Sequence, residues 1–298
     1  MLNPLSTPKG QSVHCELCGA QATTTCQTCR CTFYCSPGHK ELDHKSVHGR
    51  ICGTMHALKN APTRPGSEEE RTQNARHVQS LRMHIYSVST ERAKTWLAEQ
   101  QFDLVIPAAW QSLRSALALF SRDGALEIVT SRLILGEACC GMMQYSACEE
   151  HLAQARWQMA KSGSTDSVVK ARLHRATAAL QMATGQRAKA IEEIASEIYY
   201  LGLSYGPESP YCGDALSRLA ASFIASGKID AAFAAFVMAL MCWSQDNASL
   251  NSLDDVLRSE GQHTLTAARN FFEQAAASKQ AQKADALLEG LLRKSIKQ

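Results

Sequence analysis

The feature that most constrains this chain is a crowded run of cysteine and histidine residues near its N-terminus. Seven of the twelve cysteines lie between Cys15 and Cys52, and two pairs of them have the C-x-x-C spacing. Closely paired cysteines of this kind are more typical of a metal site than of a disulfide framework. The run therefore predicts that this segment binds metal ions.

Eight donors in the segment suffice for two tetrahedral zinc sites, because a structural zinc ion takes four Cys or His ligands. A C-x-x-C turn brings two thiolates to one ion at about 2.3 Å. We expect the pairs to interleave, since adjacent pairs are too close in sequence to share one ion within a compact unit. The first predicted site is Cys15, Cys18, Cys35 and His39, and the second is Cys26, Cys29, His48 and Cys52.

Both predicted sites are closed by protein ligands, which leaves no position for a reactive water and indicates a structural role for two Zn²⁺ ions. A module of about 40 residues buries too little apolar surface to fold alone, so zinc binding must supply most of its folding free energy. Three neighbours compete as ligands. Both sites have four ligands without Cys31, so we expect a free thiol there. We expect His14 and His44 at the surface. If His39 is not a ligand of the first site, His44 is the main alternative.

Several of these residues resemble the MYND-type zinc finger, a protein-interaction module. The resemblance rests on the two C-x-x-C pairs, the stretch Phe33-Tyr34-Cys35-Ser36 before a predicted helix, and His48-x-x-x-Cys52. His39 stands where most members carry a cysteine, a change that zinc tolerates. His44 stands where many members carry a tryptophan that helps to bind proline-rich peptides. The resemblance thus implies a finger that is more structural than recognitive.

A connection and a helical region follow the finger. Pro62, Pro65 and Gly66 predict a linker, and Ser67 with Glu70 forms a capping box that begins a long helix. Apolar residues then recur at three- and four-residue steps, so the fold class is mainly α. We predict a flexible N-terminus over 1–14, the zinc finger over 15–52, a linker over 53–66 and a helical repeat array over 67–298.

Four segments share the order helix, short polar turn, bulky residue, second helix. The bulky residues are Phe102, Tyr145, Arg187 and Ile229, which are 43, 42 and 42 residues apart. Small residues flank the last three turns, which lets antiparallel helices approach closely: Gly136, Ala178 and Ala220 before them, and Cys148, Ala190 and Ala232 after them. The pattern resembles a long form of the tetratricopeptide (TPR) repeat, which implies hairpins stacked into a superhelix with a binding groove.

The resemblance to TPR repeats places three cations, Lys94, Arg172 and Arg175, on the groove side. They suit an acidic partner segment, although an ordinary solvated face gives the same pattern. The segment from Thr264 to Gln298 is predicted to form two more helices. The cysteines at 139, 140, 148, 212 and 242 lie in apolar helical context and are predicted to be core residues.

The whole arrangement resembles ciliary members of the zinc-finger MYND-domain-containing proteins. Pro8-Lys9-Gly10, Ser67-Glu68-Glu69-Glu70-Arg71 and the stretch from Ala108 to Arg114 add to this likeness, which covers most of the chain. The resemblance implies a cytoplasmic protein of the axoneme of motile cilia and sperm flagella. The implied partners are another TPR-repeat axonemal protein, inner-arm dynein components and the microtubule doublet assembly.

Composition and motifs argue against several other classes. A net charge of +3 without a basic stripe disfavours nucleic acid. The longest apolar run, Ala231 to Trp243, is shorter than the ~20 residues that cross a bilayer, and no secretory signal is evident, so we expect no membrane partner. A cytosolic or nuclear scaffold that binds proline-rich peptides is the alternative. Lysine methyltransferases with a SET domain also carry this finger, but no strand-rich segment or phosphate-binding loop follows it here, so we predict a non-enzyme.

Overall fold

The computed structural model describes residues 13–62, 66–120, 125–162, 166–244 and 255–295. The fold is mainly α, as the sequence predicts, and it divides into two compact units, Met1–Ser164 and Thr165–Gln298. Most of the predicted flexible N-terminus, including Pro8-Lys9-Gly10, and Pro65 of the predicted linker lie outside the described residues. In the described part of the chain, no helix combines the length and the apolarity needed to cross a bilayer.

The N-terminal module begins with two short antiparallel strands, β1 (Thr24–Thr25) and β2 (Phe33–Tyr34). Helix α1 (Pro37–Asp43) follows, and its first turn is closed by Ser36, whose Oγ accepts a hydrogen bond from the backbone N–H of His39. A π-helical turn (His44–His48) and α2 (Gly49–Lys59) continue without a break. One continuous helical path therefore carries the last three of the eight predicted zinc ligands, His39, His48 and Cys52.

Helix α2 extends seven residues into the segment predicted as a linker, to Lys59. It does so because Met55 and Leu58 pack against the hydrophobic core of the first unit, which a free linker would leave exposed. The capping box at the next helix is present in full: Ser67 Oγ accepts from the N–H of Glu70, and the Glu70 carboxylate accepts from the N–H of Ser67, both at 3.1 Å. The division into separately folding domains at 52 and 66 stays a prediction.

Five helical hairpins make up the rest of the described chain. The second helices of the first four begin at Phe102, Tyr145, Arg187 and Ile229, the bulky positions of the predicted repeat. The hairpins are α3 (Glu68–Ala98) with α4 (Phe102–Leu119), α5 (Leu126–Gly141) with α6 (Tyr145–Ser162), α7 (Ser167–Ala183) with α8 (Arg187–Tyr205), α9 (Pro210–Ala225) with α10 (Ile229–Trp243), and α11 (Asp255–Gln274) with α12 (Ser278–Ser295).

The last hairpin begins earlier than the sequence pattern predicts. Helix α11 starts at Asp255, not at Thr264. Its first turns contribute Leu257 to the same core as Leu265 and Phe272, which gives them a tertiary reason to be helical that local periodicity does not show. Within each unit, successive hairpins pack on one another: α4 contacts α5 in the first, and α9 contacts α8 and α11 in the second.

All five hairpin turns have the same backbone geometry. Each contains three residues, and the middle one adopts a left-handed conformation with φ between 54° and 79°. The next residue donates its N–H to the carbonyl five positions back at 2.8–2.9 Å, which closes a Schellman motif. The left-handed residues are Gln100, Met143, Gly185, Gly227 and Ala276.

Small residues allow the paired helices to approach closely, as predicted. A Cβ built on Gly136 would lie 2.8 Å from Leu152 Cδ2 on the partner helix α6, which is closer than side-chain carbons tolerate. The other predicted small positions, from Cys148 to Ala232, are buried. Four of the five cysteines outside the N-terminal module are also buried, and Cys140 is partly buried, as expected of small apolar core residues.

Candidate metal centre

The structure brings the predicted ligands together in two clusters. In the first, the ligand atoms of Cys15, Cys18, Cys35 and His39 all lie within 4.8 Å of one another. His39 faces the thiolates through Nδ1, which is 3.4 Å from Cys15 Sγ and 3.2 Å from Cys35 Sγ. Cys18 Sγ is 3.5 Å from Cys35 Sγ, and Cys18 is exposed to solvent. This cluster therefore lies close to the surface.

The second cluster is formed by Cys26, Cys29, His48 and Cys52, again with all ligand atoms within 4.8 Å of one another. His48 faces it through Nε2, 3.7 Å from Cys29 Sγ, and Cys26 Sγ lies 3.7 Å from Cys52 Sγ. Cys26, Cys29 and His48 are all buried. The second cluster is thus the more enclosed of the two.

These separations fit tetrahedral zinc. With Zn–S bonds of about 2.3 Å and Zn–N bonds of about 2.0–2.1 Å, a tetrahedron has edges of roughly 3.5–3.8 Å. The sulfur–sulfur separations of 3.5 and 3.7 Å and the Cys29–His48 separation of 3.7 Å match those edges, and the His39 Nδ1–sulfur separations of 3.2 and 3.4 Å are slightly shorter. Three thiolates and one imidazole form a donor set that zinc prefers, and the clusters accommodate two structural zinc ions.

The electrostatics of the clusters also favour a cation. Burial raises the pKa of the Cys29 thiol, but the hydrogen bonds from His48 and the Cys31 backbone outweigh it and lower that pKa to about 6. The pKa of Cys15 is likewise lowered to about 6, since backbone N–H groups of Cys18 and Cys35 overcome its burial. Zinc needs such thiolates as ligands.

Cys52 shows the complementary effect. Burial raises its pKa to about 12, together with the nearby thiolates of Cys26 and Cys29, which disfavour a further negative charge. A divalent cation among these sulfur atoms removes that repulsion and allows the third thiolate to form. The residues present therefore fit the metal in both geometry and charge.

The competing residues stand outside both clusters. Cys31 Sγ donates to the carbonyl oxygens of Cys29 and Met55, at 3.1 and 3.5 Å, and burial raises its pKa to about 11. His14 is exposed, with its Nδ1 2.9 Å from the carbonyl oxygen of Gly19. His44 is exposed on the π-helical turn, and its ring centroid lies 6.4 Å from that of His48.

The finger (residues 15–52) is attached firmly to the first hairpin, which sequence reasoning missed. Ser46 Oγ donates to the carbonyl oxygen of Leu104 on α4 at 2.6 Å, and its own carbonyl accepts from Trp96 Nε1 on α3 at 3.1 Å. Arg114 on α4 forms an ion pair with Glu16 in the finger. The only sequence signal for this contact was the pair of apolar residues beside His48 and Cys52, Val47 and Ile51.

Val47 and Ile51 lie on the turn and helix that carry the last two ligands of the second cluster. Both are 1% exposed and belong to one hydrophobic core with Ile85 of α3 and Val105 of α4. The second metal cluster and the first hairpin thus share their packing.

One cation of the predicted groove is already paired within the chain. Arg175 of α7 lies 3.1 Å from Glu260 of α11 and 3.5 Å from Asp214 of α9. These two carboxylates compete with an acidic partner for Arg175, but its side chain is 46% exposed, so its availability to such a partner stays a prediction. Lys94 is exposed, and Arg172 is partly buried.

A comparison of the chain with models of known protein families finds no match. The two metal clusters and the repeated hairpins are therefore the features that indicate what the protein does. A closed metal module beside helical repeats is an architecture of protein-interaction adaptors.

Proposed function

We propose that this protein is a non-enzymatic structural adaptor of the ciliary and flagellar axoneme. Its MYND-type finger keeps one shape through two zinc ions, and its TPR-like hairpins dock or stabilise dynein-associated proteins. The proposed partners are another TPR-repeat axonemal protein, inner-arm dynein components and the microtubule doublet assembly. The ciliary part of the proposal is supported by the sequence resemblance alone.

The observation that carries the adaptor role is the closure of both clusters. Each has four protein donors within 4.8 Å of one another, which fills a tetrahedral zinc ion completely. Such ions hold a fold together and offer no site for water activation. The repeated hairpins add an extended surface of the kind that binds other proteins.

Localisation and partner capture test the ciliary role together. The full chain, tagged and expressed in a ciliated cell, is expected in the axonemal fraction, and purification from that fraction is expected to recover dynein-associated proteins. A matched variant with both Cys26 and Cys29 replaced by Ser, which removes the second zinc site, should lose axonemal retention. A parental protein confined to cytosol or nucleus would overturn the ciliary proposal.

A scaffold that binds proline-rich peptides through the finger is the second candidate. The residue at the position of the family's peptide-binding tryptophan is His44, which is exposed and offers a smaller ring. On a peptide array, we expect the full chain to bind proline-rich sequences no better than scrambled ones. His44→Trp is the matched gain-of-function variant, and strong binding by the parent would favour this second candidate.

The non-enzymatic part of the proposal has its own test. SET-domain methyltransferases with this finger use S-adenosylmethionine, so calorimetry with that cofactor distinguishes the two classes. We expect no binding to the zinc-loaded full chain. Tight, stoichiometric binding would overturn the proposal.

A further inference from the structure

Three buried polar side chains form a line that ends at the second metal cluster. Tyr34 is fully buried, Asp43 is 7% exposed and His48 is 2% exposed. The Tyr34 hydroxyl donates to Asp43 Oδ2 at 2.6 Å, and the same oxygen lies 3.9 Å from His48 Nδ1. Burying three polar groups together is costly unless each has a partner, so this arrangement calls for an explanation.

The two nitrogens of His48 have different surroundings. Nε2 faces the thiolates, whereas Nδ1 is buried and, among the described residues, has no partner within hydrogen-bond distance. An imidazole that binds zinc through Nε2 carries its proton on Nδ1. The Asp43 carboxylate lies 3.9 Å from that nitrogen, close enough to interact electrostatically with its N–H.

The π-helical turn explains how Asp43 and His48 meet. In a π-helix the backbone hydrogen bonds join residues five positions apart, and Asp43 and His48 are separated by five. An α-helical turn would align residue 43 with residue 47 instead. Val47, however, belongs to the hydrophobic core shared with α3 and α4. The wider turn thus satisfies both requirements.

We propose that Asp43 is a positioning residue for the second zinc ion, and that Tyr34 in turn holds Asp43. The carboxylate fixes the Nδ1–H form of His48 and the direction of its ring, so that Nε2 remains aimed at the site. The Tyr34 hydroxyl donates a hydrogen bond to Asp43 Oδ2 and so keeps the Asp43 carboxylate from rotating away from His48. Partners of this kind typically change metal affinity by 10–100-fold.

Affinity of each site separately is the decisive measurement. The full chain with two zinc ions is titrated with chelators of graded strength, and the side-chain ¹⁵N resonances of His39 and His48 report the two sites individually. We expect Asp43→Ala to weaken the second site by about 10–100-fold. The first site, read in the same sample, should keep its parental affinity.

Milder variants guard against loss of the fold. Tyr34→Phe keeps the buried ring, and Asp43→Asn keeps the size and an acceptor oxygen, so both should weaken the second site by less than Asp43→Ala does. Glu41→Gln, on the exposed side of α1, is the matched control and should change neither site. Parental affinity of the second site in Asp43→Ala would overturn the proposal, and so would equal weakening of the two sites; parental affinity in Tyr34→Phe would overturn the role of Tyr34.

A measurement on the unaltered protein is independent of any variant. The ¹⁵N shifts of His48 in the zinc-loaded chain should show a protonated Nδ1 and a metal-bound Nε2. Coordination through Nδ1 would overturn the proposal, because that nitrogen could then not face Asp43.

Discussion

The pKa of the buried residue His151 is set by its neighbours as well as by its residue type. His151 of α6 is 7% exposed, and its ring packs edge-on against Trp110 at 5.5 Å. Burial lowers its pKa below the ordinary 6.5, and the positive charge of Arg132, whose Nη1 lies 3.4 Å from Nδ1, lowers it further. Folding therefore disfavours the protonated form of this imidazole.

The shift at His151 predicts a dependence of stability on pH. As the pH falls below about 6.5, His151 becomes protonated in the unfolded chain while the folded chain still disfavours its protonated form. The free energy of unfolding therefore decreases until the pH reaches the lower pKa that His151 has in the folded chain. Above that window the effect is absent. His151→Phe should remove this part of the decrease in the free energy of unfolding as the pH falls from about 7.5 to 5.

Urea unfolding at each pH, with zinc in excess, measures this difference. His84→Gln, at an exposed position on α3, is the control and should follow the parent. Because zinc ligands also bind protons, only the difference between the two variants and the parent is informative. Equal pH slopes for parent and His151→Phe would contradict the prediction.

A buried ion pair is the second residue-scale feature. Glu197 of α8 is 2% exposed, and both of its oxygens accept from the Arg218 guanidinium of α9, at 2.7 and 2.8 Å. Arg218 Nε also donates to Asp214 at 3.1 Å. The pair thus joins two hairpins of the second unit with fixed geometry.

Removing one partner of this pair should be severe. Arg218→Met leaves the Glu197 carboxylate buried without compensation, and we expect the opening free energy of α8 and α9 to fall by about 3 kcal/mol. The double variant with Glu197→Gln should recover part of that loss. Native-state hydrogen exchange of the α8 and α9 amides measures this opening free energy in each variant. Arg71→Met breaks an exposed pair with Glu68 and should cost less than about 0.5 kcal/mol; similar losses in both variants would contradict the argument.

At the scale of elements, one turn geometry recurs in five hairpins with different residues. The left-handed position is glycine at 185 and 227, but Gln100, Met143 and Ala276 occupy it in the other three. A residue with a Cβ pays about 1–2 kcal/mol in this conformation. The hydrogen bonds of the motif therefore offset this cost in three of the turns. Glycine is the most favourable residue at the left-handed position, but the turn does not require it.

Two glycine substitutions should have opposite effects. Gly185→Ala places a Cβ on a residue with φ +79° and free space around it, so the cost is conformational and should be about 1 kcal/mol. Gly290→Ala lies inside α12, also in free space, and should stabilise by about 0.5–1 kcal/mol because alanine is the better helix former. Denaturant unfolding of each variant shows whether its free energy of unfolding rises or falls relative to the parent. Destabilisation by both would contradict the assignment of the turn.

At the scale of the whole molecule, metal binding and helix packing are coupled. The turn that carries His48 also carries Ser46 and Val47, which contact α3 and α4. Loss of zinc should therefore lower the stability of α3 and α4 as well as that of the finger. The second unit contains none of the eight ligands.

Chelation should weaken the first hairpin measurably. Withdrawing Val47 and Ile51 from their core removes about 1.5–3 kcal/mol each, so we expect protection of α3 and α4 in hydrogen exchange to fall by at least tenfold. Helices α11 and α12 serve as an internal reference. Ser46→Ala keeps the zinc ligands and loses one anchor, so it should show a smaller effect. Unchanged protection of α3 and α4 after complete zinc removal would contradict the coupling.

The sequence by itself determined the features that depend on spacing along the chain. Ligands in C-x-x-C pairs must share a turn, and residues at three- and four-residue steps must share a helix face, so both clusters and the starts of four second helices could be predicted. The capping box at Ser67 is equally local. Each of these follows from backbone geometry within a few residues.

Only the tertiary structure decided which faces meet. Apolar periodicity shows that a helix has a buried side but not what covers it. The docking of the finger on α3 and α4, the helical course of residues 53–59, the pairing of Arg175 with Asp214 and Glu260, and the approach of Asp43 to His48 were therefore hidden in the sequence. Each depends on the angle and depth at which distant segments pack, which side-chain volumes set jointly and no local pattern encodes.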